Sequence, residues 1–328
     1  MKLLTILLFF ALSLSAKTIT DDYGRVVVVP DTITKIYAAS PPITMSVLAF
    51  NPDLVTALNS PFNELQREFV GSAFDKKVVG GFMGQGNTPN FEILSSVKPD
   101  VILMWGRSSA HEKILAKFEK LGIPVLLVKN DSIHDIITQF ELLGNLTNNK
   151  ARADELIAYT QKSLSFIESL QSKLKEQKSI RYYYAQGVDG LNSECEGSFH
   201  LEPFKFAGAK NALDCKMSSN YGMEKISVET ILLSNPDVIV AMESTFTESV
   251  SQNSQWGNIK AVQEGKVFLV PSIPFNYISR PPSFMRLLGI RWLIDSFYPS
   301  ILEKPFTQER EEFEKLFFIQ KKGVYSVN

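Results

Sequence analysis

This sequence is short of the residues that build metal cages and has no excess of charge of either sign. It contains 3 histidines, His111, His134 and His200, and 2 cysteines, Cys195 and Cys215. The histidines stand far apart and in no ligand spacing, so a zinc or manganese site assembled from side chains is not expected. Basic and acidic residues number 34 and 35, a net charge of −1, which excludes the basic surface that nucleic acid requires. Past the N-terminus no stretch approaches the roughly 18 consecutive apolar residues of a spanning helix, so a membrane-embedded chain is not expected. Gly-x-Ser-x-Gly, His-Glu-x-x-His and Gly-x-x-x-x-Gly-Lys are missing, and Gly84-Gln85-Gly86 is only a fragment of a dinucleotide fingerprint. These absences point away from an enzyme and towards a binder.

What is present begins with an export signal. Lys2 precedes the apolar run Leu3 to Leu12, broken only by Thr5, which meets the small residues Ser13, Ser15 and Ala16. Residues 1–16 read as a cleavable signal peptide, too short for an anchor; the competing reading is a buried N-terminal strand or helix. No cysteine follows the cleavage point, which argues against an N-terminal lipid. The roughly 310 residues that remain suggest two domains. In an oxidising compartment Cys195 and Cys215 can close one disulfide around a loop of about 20 residues. The alternative, a pair of metal ligands, has no CxxC spacing or nearby histidine cluster behind it.

The most informative feature is a repeat. Residues 90–105 read Asn-Phe-Glu-Ile-Leu-Ser-Ser-Val-Lys-Pro-Asp-Val-Ile-Leu-Met-Trp, and residues 227–242 read Ser-Val-Glu-Thr-Ile-Leu-Leu-Ser-Asn-Pro-Asp-Val-Ile-Val-Ala-Met. Asn90 and Ser227 are good N-caps for a short helix. Each helix must end before Pro99 or Pro236, and the β-branched runs that follow suit strands buried on both faces. Two copies of one helix-turn-strand unit mean two related α/β lobes. Further short strands are expected at 36–39, 125–128, 181–185 and 267–270, with helices at 109–121 and 132–143, an alternation typical of parallel sheets. From Asn149 to about Gln177 there is no glycine or proline, and apolar residues recur at 153, 156, 157, 160, 164, 167, 170 and 174. That spacing predicts one stiff helix, roughly 42 Å long, between the lobes; a coiled-coil arm competes less well because no heptad is sustained. The expected domains are 17–147, the linking helix 148–178, and 179–328.

Taken together, these features resemble the class III periplasmic binding proteins, which serve siderophore, haem, cobalamin and related importers. The repeats, the long helix, the signal peptide, Thr20 to Arg25 and Gly80 to Pro89 carry the likeness over nearly the whole mature chain. Residues 80–94 look like a nickel-linked subgroup. Arg280-Pro281-Pro282-Ser283 with Arg286-Leu287-Leu288-Gly289 looks like a branch that includes a molybdate and tungstate binder. The resemblance implies two Rossmann-like lobes joined by a rigid helix in a monomeric periplasmic protein. It also implies a carboxylate on each lobe, here Glu92 and Glu229, docking onto arginines of an ABC permease. An ordinary preference for acids at helix N-termini explains the same two residues.

Ligands of α/β lobes bind beyond the carboxyl ends of the strands, which in a two-lobed protein means the cleft. The candidates there are Ser40, Gln85, Trp105, Arg107, Tyr184, Tyr277 and Arg280. Arg280 is the sharpest: it precedes two prolines and can grip a carboxylate, catecholate or oxyanion in bidentate fashion. His111 and His200 could each add one ligand to an incompletely coordinated metal, whereas His134 reads as structural. The expected cargo is an iron or nickel chelate or an oxyanion, with no cofactor held tightly.

Overall fold

The computed structural model describes residues 15–82, 88–106, 111–218 and 222–318; the signal-peptide reading lies almost wholly outside them. The chain opens with a hairpin, β1 (Ala16–Thr20) paired antiparallel with β2 (Val26–Pro30). Its turn is organised by Asp21, whose Oδ1 accepts from the backbone N–H of Tyr23 and Arg25 at 3.0 and 2.9 Å. Oδ2 accepts from the N–H of Leu127 at 3.0 Å, pinning the hairpin to the first sheet.

That sheet is parallel, in the order β3 (Ile36–Ala38), β4 (Val101–Trp105), β5 (Val125–Val128). Around it lie α1 (Pro41–Phe50), α2 (Arg67–Val70), α3 (Phe91–Val97), α4 (His111–Glu119) and α5 (Asp135–Thr147). After α6 (Lys150–Ser169) and α7 (Gln171–Glu176) the second lobe follows. It comprises β6 (Arg181–Ala185), β7 (Asn192–Ser193), α8 (Glu202–Phe206), β8 (Lys210–Asn211), β9 (Glu224–Lys225), α9 (Val228–Ser234), β10 (Val238–Ala241), α10 (Ser244–Ser249), α11 (Lys260–Gln263) and β11 (Val267–Leu269). Four strands form a parallel sheet in the order β11-β10-β6-β8, and β7 and β9 pair antiparallel beside it. Helices α12 (Met285–Phe297) and α13 (Phe306–Phe317) complete the described chain.

The two copies of the sequence repeat fold alike, and the reason lies in their polar residues. Asn90 accepts from the N–H of Glu92 and Ile93, and Ser227 from that of Thr230, satisfying donors that a helix start leaves over. Both helices stop on a left-handed residue, Lys98 and Asn235, with φ of 48° and 43°. The Asp after each proline then clasps the head of the neighbouring strand: Asp100 accepts from the N–H of Thr34 and Lys35, and Asp237 from that of Arg181. The Pro-Asp signature is therefore a device for joining a helix exit to a strand entry.

Two expectations are corrected. The linking helix is not continuous: at Leu170 the backbone N–H turns to the carbonyl of Ile167, three residues back, at 3.2 Å, and α7 sets off after this tight turn. Gln171, bonded through Nε2 to the carbonyl of Phe206 at 2.8 Å, fixes the new direction. The C-terminal helix also does not stay with the second lobe. Phe317 of α13 meets Phe140 of α5, Glu309 accepts from the Tyr159 hydroxyl of α6 at 2.7 Å, and Arg152 reaches the carbonyl of Leu316. Consequently one continuous hydrophobic core runs from the first sheet through α6 to α12 and α13.

Candidate ligand site between the lobes

The carboxyl ends of the two sheets face one another. Asn130, just past β5, donates through Nδ2 to the carbonyl of Pro282 at 3.1 Å, and Gln66 donates to that of Pro274 at 2.9 Å. Trp105, the last residue of β4, meets Phe199 of the other lobe edge to face at 5.6 Å. Glu202 of α8 accepts from the backbone N–H of Ile133 and the hydroxyl of Ser132, each at 3.0 Å, while ion-paired to Arg286 of α12.

Strand order marks a crevice in each lobe. Strand β3 has Val55 on one side and β4 on the other; β6 has β8 on one side and β10 on the other. At such switch points successive connections leave in opposite directions, opening space beyond the carboxyl end of the strand. Ser40 and Pro41 follow β3, and Gln186 follows β6. A pocket of about 150 Å³ lies at the first of these, walled by Pro41, Met45, Leu58, Pro61 and Phe62 and, from the other lobe, by Phe275 and Pro281. Three of the polar side chains that line it, all but Ser60, are already engaged. Thr44 donates to Asn59 Oδ1 at 2.6 Å, Asn59 Nδ2 donates to the carbonyls of Ala38 and Gly80, and Gln66 is committed to Pro274. Prolines at the first two positions of α1 also remove two amide donors that a helix N-terminus would otherwise offer an anion.

At the second switch point Arg280 enters from the loop after β11, its bond to Pro281 cis. Its Nε donates to Gln186 Oε1 at 2.7 Å and its Nη2 to Glu194 Oε1 at 2.5 Å. Glu194 is wholly enclosed, while the Arg280 side chain keeps 25% of its surface. Gln186 closes the triangle by donating to Glu194 Oε1 at 2.9 Å, and Ser198 donates to Oε2 at 2.8 Å. The neighbouring Cys195 is joined to Cys215 by a disulfide with Cα atoms 5.2 Å apart.

Other candidates lie deeper than the sequence suggested. Tyr277 is in the core against Phe306 of α13, and its hydroxyl is pushed up to about 12, mainly by burial and then by the charge of Glu314. Tyr184 is fully enclosed, burial driving its hydroxyl upwards, with Ser279 beside it. The Ser40 hydroxyl is buried without a hydrogen-bond partner. The expectation that Tyr277, Tyr184 and Ser40 present surface to the cleft is therefore corrected: inward-facing strand and loop positions are claimed by the core. Trp105 is likewise buried, its Nε1 donating to Asp131 at 3.3 Å. His200 is buried with its ring on Phe199 at 4.0 Å. Arg107, Gln85 and the side chain of His111 lie outside the described residues. Among the described residues no three His, Cys, Asp or Glu side chains gather as a metal site.

Glu92 and Glu229 stand exposed in the first turns of equivalent helices, one per lobe. The Glu229 carboxyl is held below its usual range by its own backbone N–H and then by the Ser227 hydroxyl.

The family model for periplasmic binding proteins matches residues 71–274. The chain belongs to the periplasmic binding protein family. In structure this binding protein is similar to an ABC transporter solute binding protein from Sulfurospirillum deleyianum, at 30% identity and a TM-score of 0.83, covering 94% of this chain and 98% of that one. In sequence it is similar to the molybdate-binding protein MolA of Haemophilus influenzae, 25% identical over 90% of each chain. It is also 24% identical, over 62% of each chain, to the Fe(3+)-citrate-binding protein YfmC of Bacillus subtilis.

Sequence reasoning missed Glu194 and Asn59, the two residues that hold the switch points together. Nothing in their neighbourhood marks them, because their partners Arg280, Gln186, Thr44 and Gly80 are distant or unpatterned in sequence. Tyr23, whose ring lies against Gly106 at the carboxyl end of β4 and is 40% exposed, was also overlooked, although the Thr20 to Arg25 run could have drawn attention to it.

Proposed function

We propose that this protein captures a metal bound in an organic chelate, of the iron-siderophore kind, between its two lobes in the periplasm, and delivers it to the permease of an ABC importer. The jaws are residues 17–147 and 179–305, linked through 148–178 with α13 packed back on α5 and α6, and Glu92 and Glu229 are the permease-facing carboxylates. The observation that carries this reading is the inter-lobe pocket at the β3 switch point. Its walls are largely proline, leucine, methionine and phenylalanine, the Thr44, Asn59 and Gln66 side chains among them are already hydrogen-bonded within the protein, and Pro41 and Pro42 remove two amide donors from the helix N-terminus. Such a corner suits the apolar face of an organic ligand better than a bare oxyanion. Arg107 and Arg280 would meet the ligand's polar groups, and His111 would complete a nickel centre. The second reading is molybdate or tungstate, favoured by the likeness to MolA over 90% of the chain. Native mass spectrometry with metal analysis of protein purified from its own periplasm separates the two. An adduct of several hundred daltons containing iron or nickel supports the chelate; an adduct of molybdate or tungstate mass alone replaces it with the second reading.

A further inference from the structure

The group of side chains at the β6 switch point carries more than the position of one arginine. A buried carboxylate is costly unless paired and fully hydrogen-bonded, and Glu194 meets both conditions. Oε1 takes Arg280 and Gln186, Oε2 takes Ser198, and its backbone carbonyl takes Asn211 Nδ2 at 2.8 Å. The surroundings are shaped to the carboxylate. A Cβ on Gly222, which also has φ of +71°, would lie 1.9 Å from Glu194 Oε2, so that position must be glycine for the acid to fit. The adjoining Cys195–Cys215 disulfide anchors the same segment. The Arg280 side chain extends from the enclosed network to partly exposed surface.

We propose that Glu194 is a specificity-determining residue: it aims Arg280 at the cleft and cancels its charge, so that the second switch point offers directed N–H donors without a net positive field. The site then discriminates by hydrogen-bond geometry and apolar fit, and multiply charged small anions gain little from entering. This rests on the reading of the cleft as the ligand site, but it concerns the charge of the cleft and needs no knowledge of the native cargo.

The test uses the full mature chain and two probes, molybdate and ferric citrate, titrated calorimetrically at low and high salt. Glu194→Gln keeps the size and the acceptor for Arg280, and its amide can donate to the Ser198 oxygen. Freed of its counter-charge, Arg280 should draw both anions about tenfold or more tightly at low salt, the gain shrinking as salt screens it. The gain should vanish in the double variant Glu194→Gln/Arg280→Gln. A folded Glu194→Gln protein whose affinity for both probes stays within about twofold of the parent, undetectable binding in both included, overturns the proposal. Should Glu194→Gln not fold, Arg280→Gln on its own decides: leaving Glu194 uncompensated, it should weaken both anions about tenfold and more at low salt, and unchanged affinity overturns the proposal. Failure of the importer reading appears elsewhere, as periplasmic protein that carries no metal-bearing adduct.

Discussion

Replacing Glu202 by alanine should be among the most damaging single changes, and its size follows from what Glu202 touches. The carboxylate is the counter-ion of Arg286, a side chain 1% exposed, and burial already presses that guanidinium below its usual range. It also accepts the Ile133 N–H and the Ser132 hydroxyl across the lobe interface. Removing one partner of a buried ion pair leaves an uncompensated charge, a loss of about 3–5 kcal/mol. With a urea m-value of roughly 3 kcal/mol/M for a chain of this size, the unfolding midpoint should fall by about 1–1.7 M. The second half of the prediction is the decisive one. Because most of that cost is the stranded charge, Glu202→Ala/Arg286→Met should recover more than half of it. A single variant that loses less than about 1 kcal/mol, or a double variant no better than the single, would refute the account of Arg286 as a buried cation held by Glu202.

Further outcomes are expected elsewhere. Removing the disulfide by Cys195→Ser/Cys215→Ser should cost about 3 kcal/mol for a loop of this length, read in urea melts without reductant. Gly289→Ala should lower soluble yield and the melting temperature sharply, since its Cβ would sit 2.0 Å from the carbonyl oxygen of Tyr277 and backbone cannot step aside; an unshifted melt would contradict the packing of α12. Burial raises the hydroxyls of Tyr37, Tyr182, Tyr183, Tyr184 and Tyr277, the last to about 12. A folded-state value above the unfolded one near 10 means stability is whole below pH 10 and falls as pH rises from there through about 12. Melting temperature against pH, followed with tyrosinate absorbance, should show that alkaline decline and cooperative ionisation. Charge reversal at Glu92 and Glu229 should lower the melt only slightly, through the helix N-termini they occupy, leave ligand affinity unchanged and abolish uptake; normal uptake would remove both from the docking surface.

The chain's local and periodic properties were legible without coordinates. The Asn90 and Ser227 caps, the stops before Pro99 and Pro236, and the β-branched strands after them depend on neighbours a few residues away, and the fold class followed from their repetition. The break at Leu170 was not legible, because apolar spacing persists through it and the turn is set by Gln171 reaching Phe206, a contact 35 positions away in sequence. Nor could the return of α13 to α5 and α6 be read from its own amphipathic pattern, which says that a face is buried but not against what. Arg280 was marked by its two prolines. Its counter-ion was not, since Glu194 lies 86 positions earlier and pairs with it only because β6 and the loop after β11 end at the same crevice. Sequence alone thus determined the units and their chemistry at short range. Only the tertiary structure decided which strand ends share a crevice, which tyrosines the core takes, and which acid pairs with Arg280, because each of these depends on residues that the chain brings together from far apart.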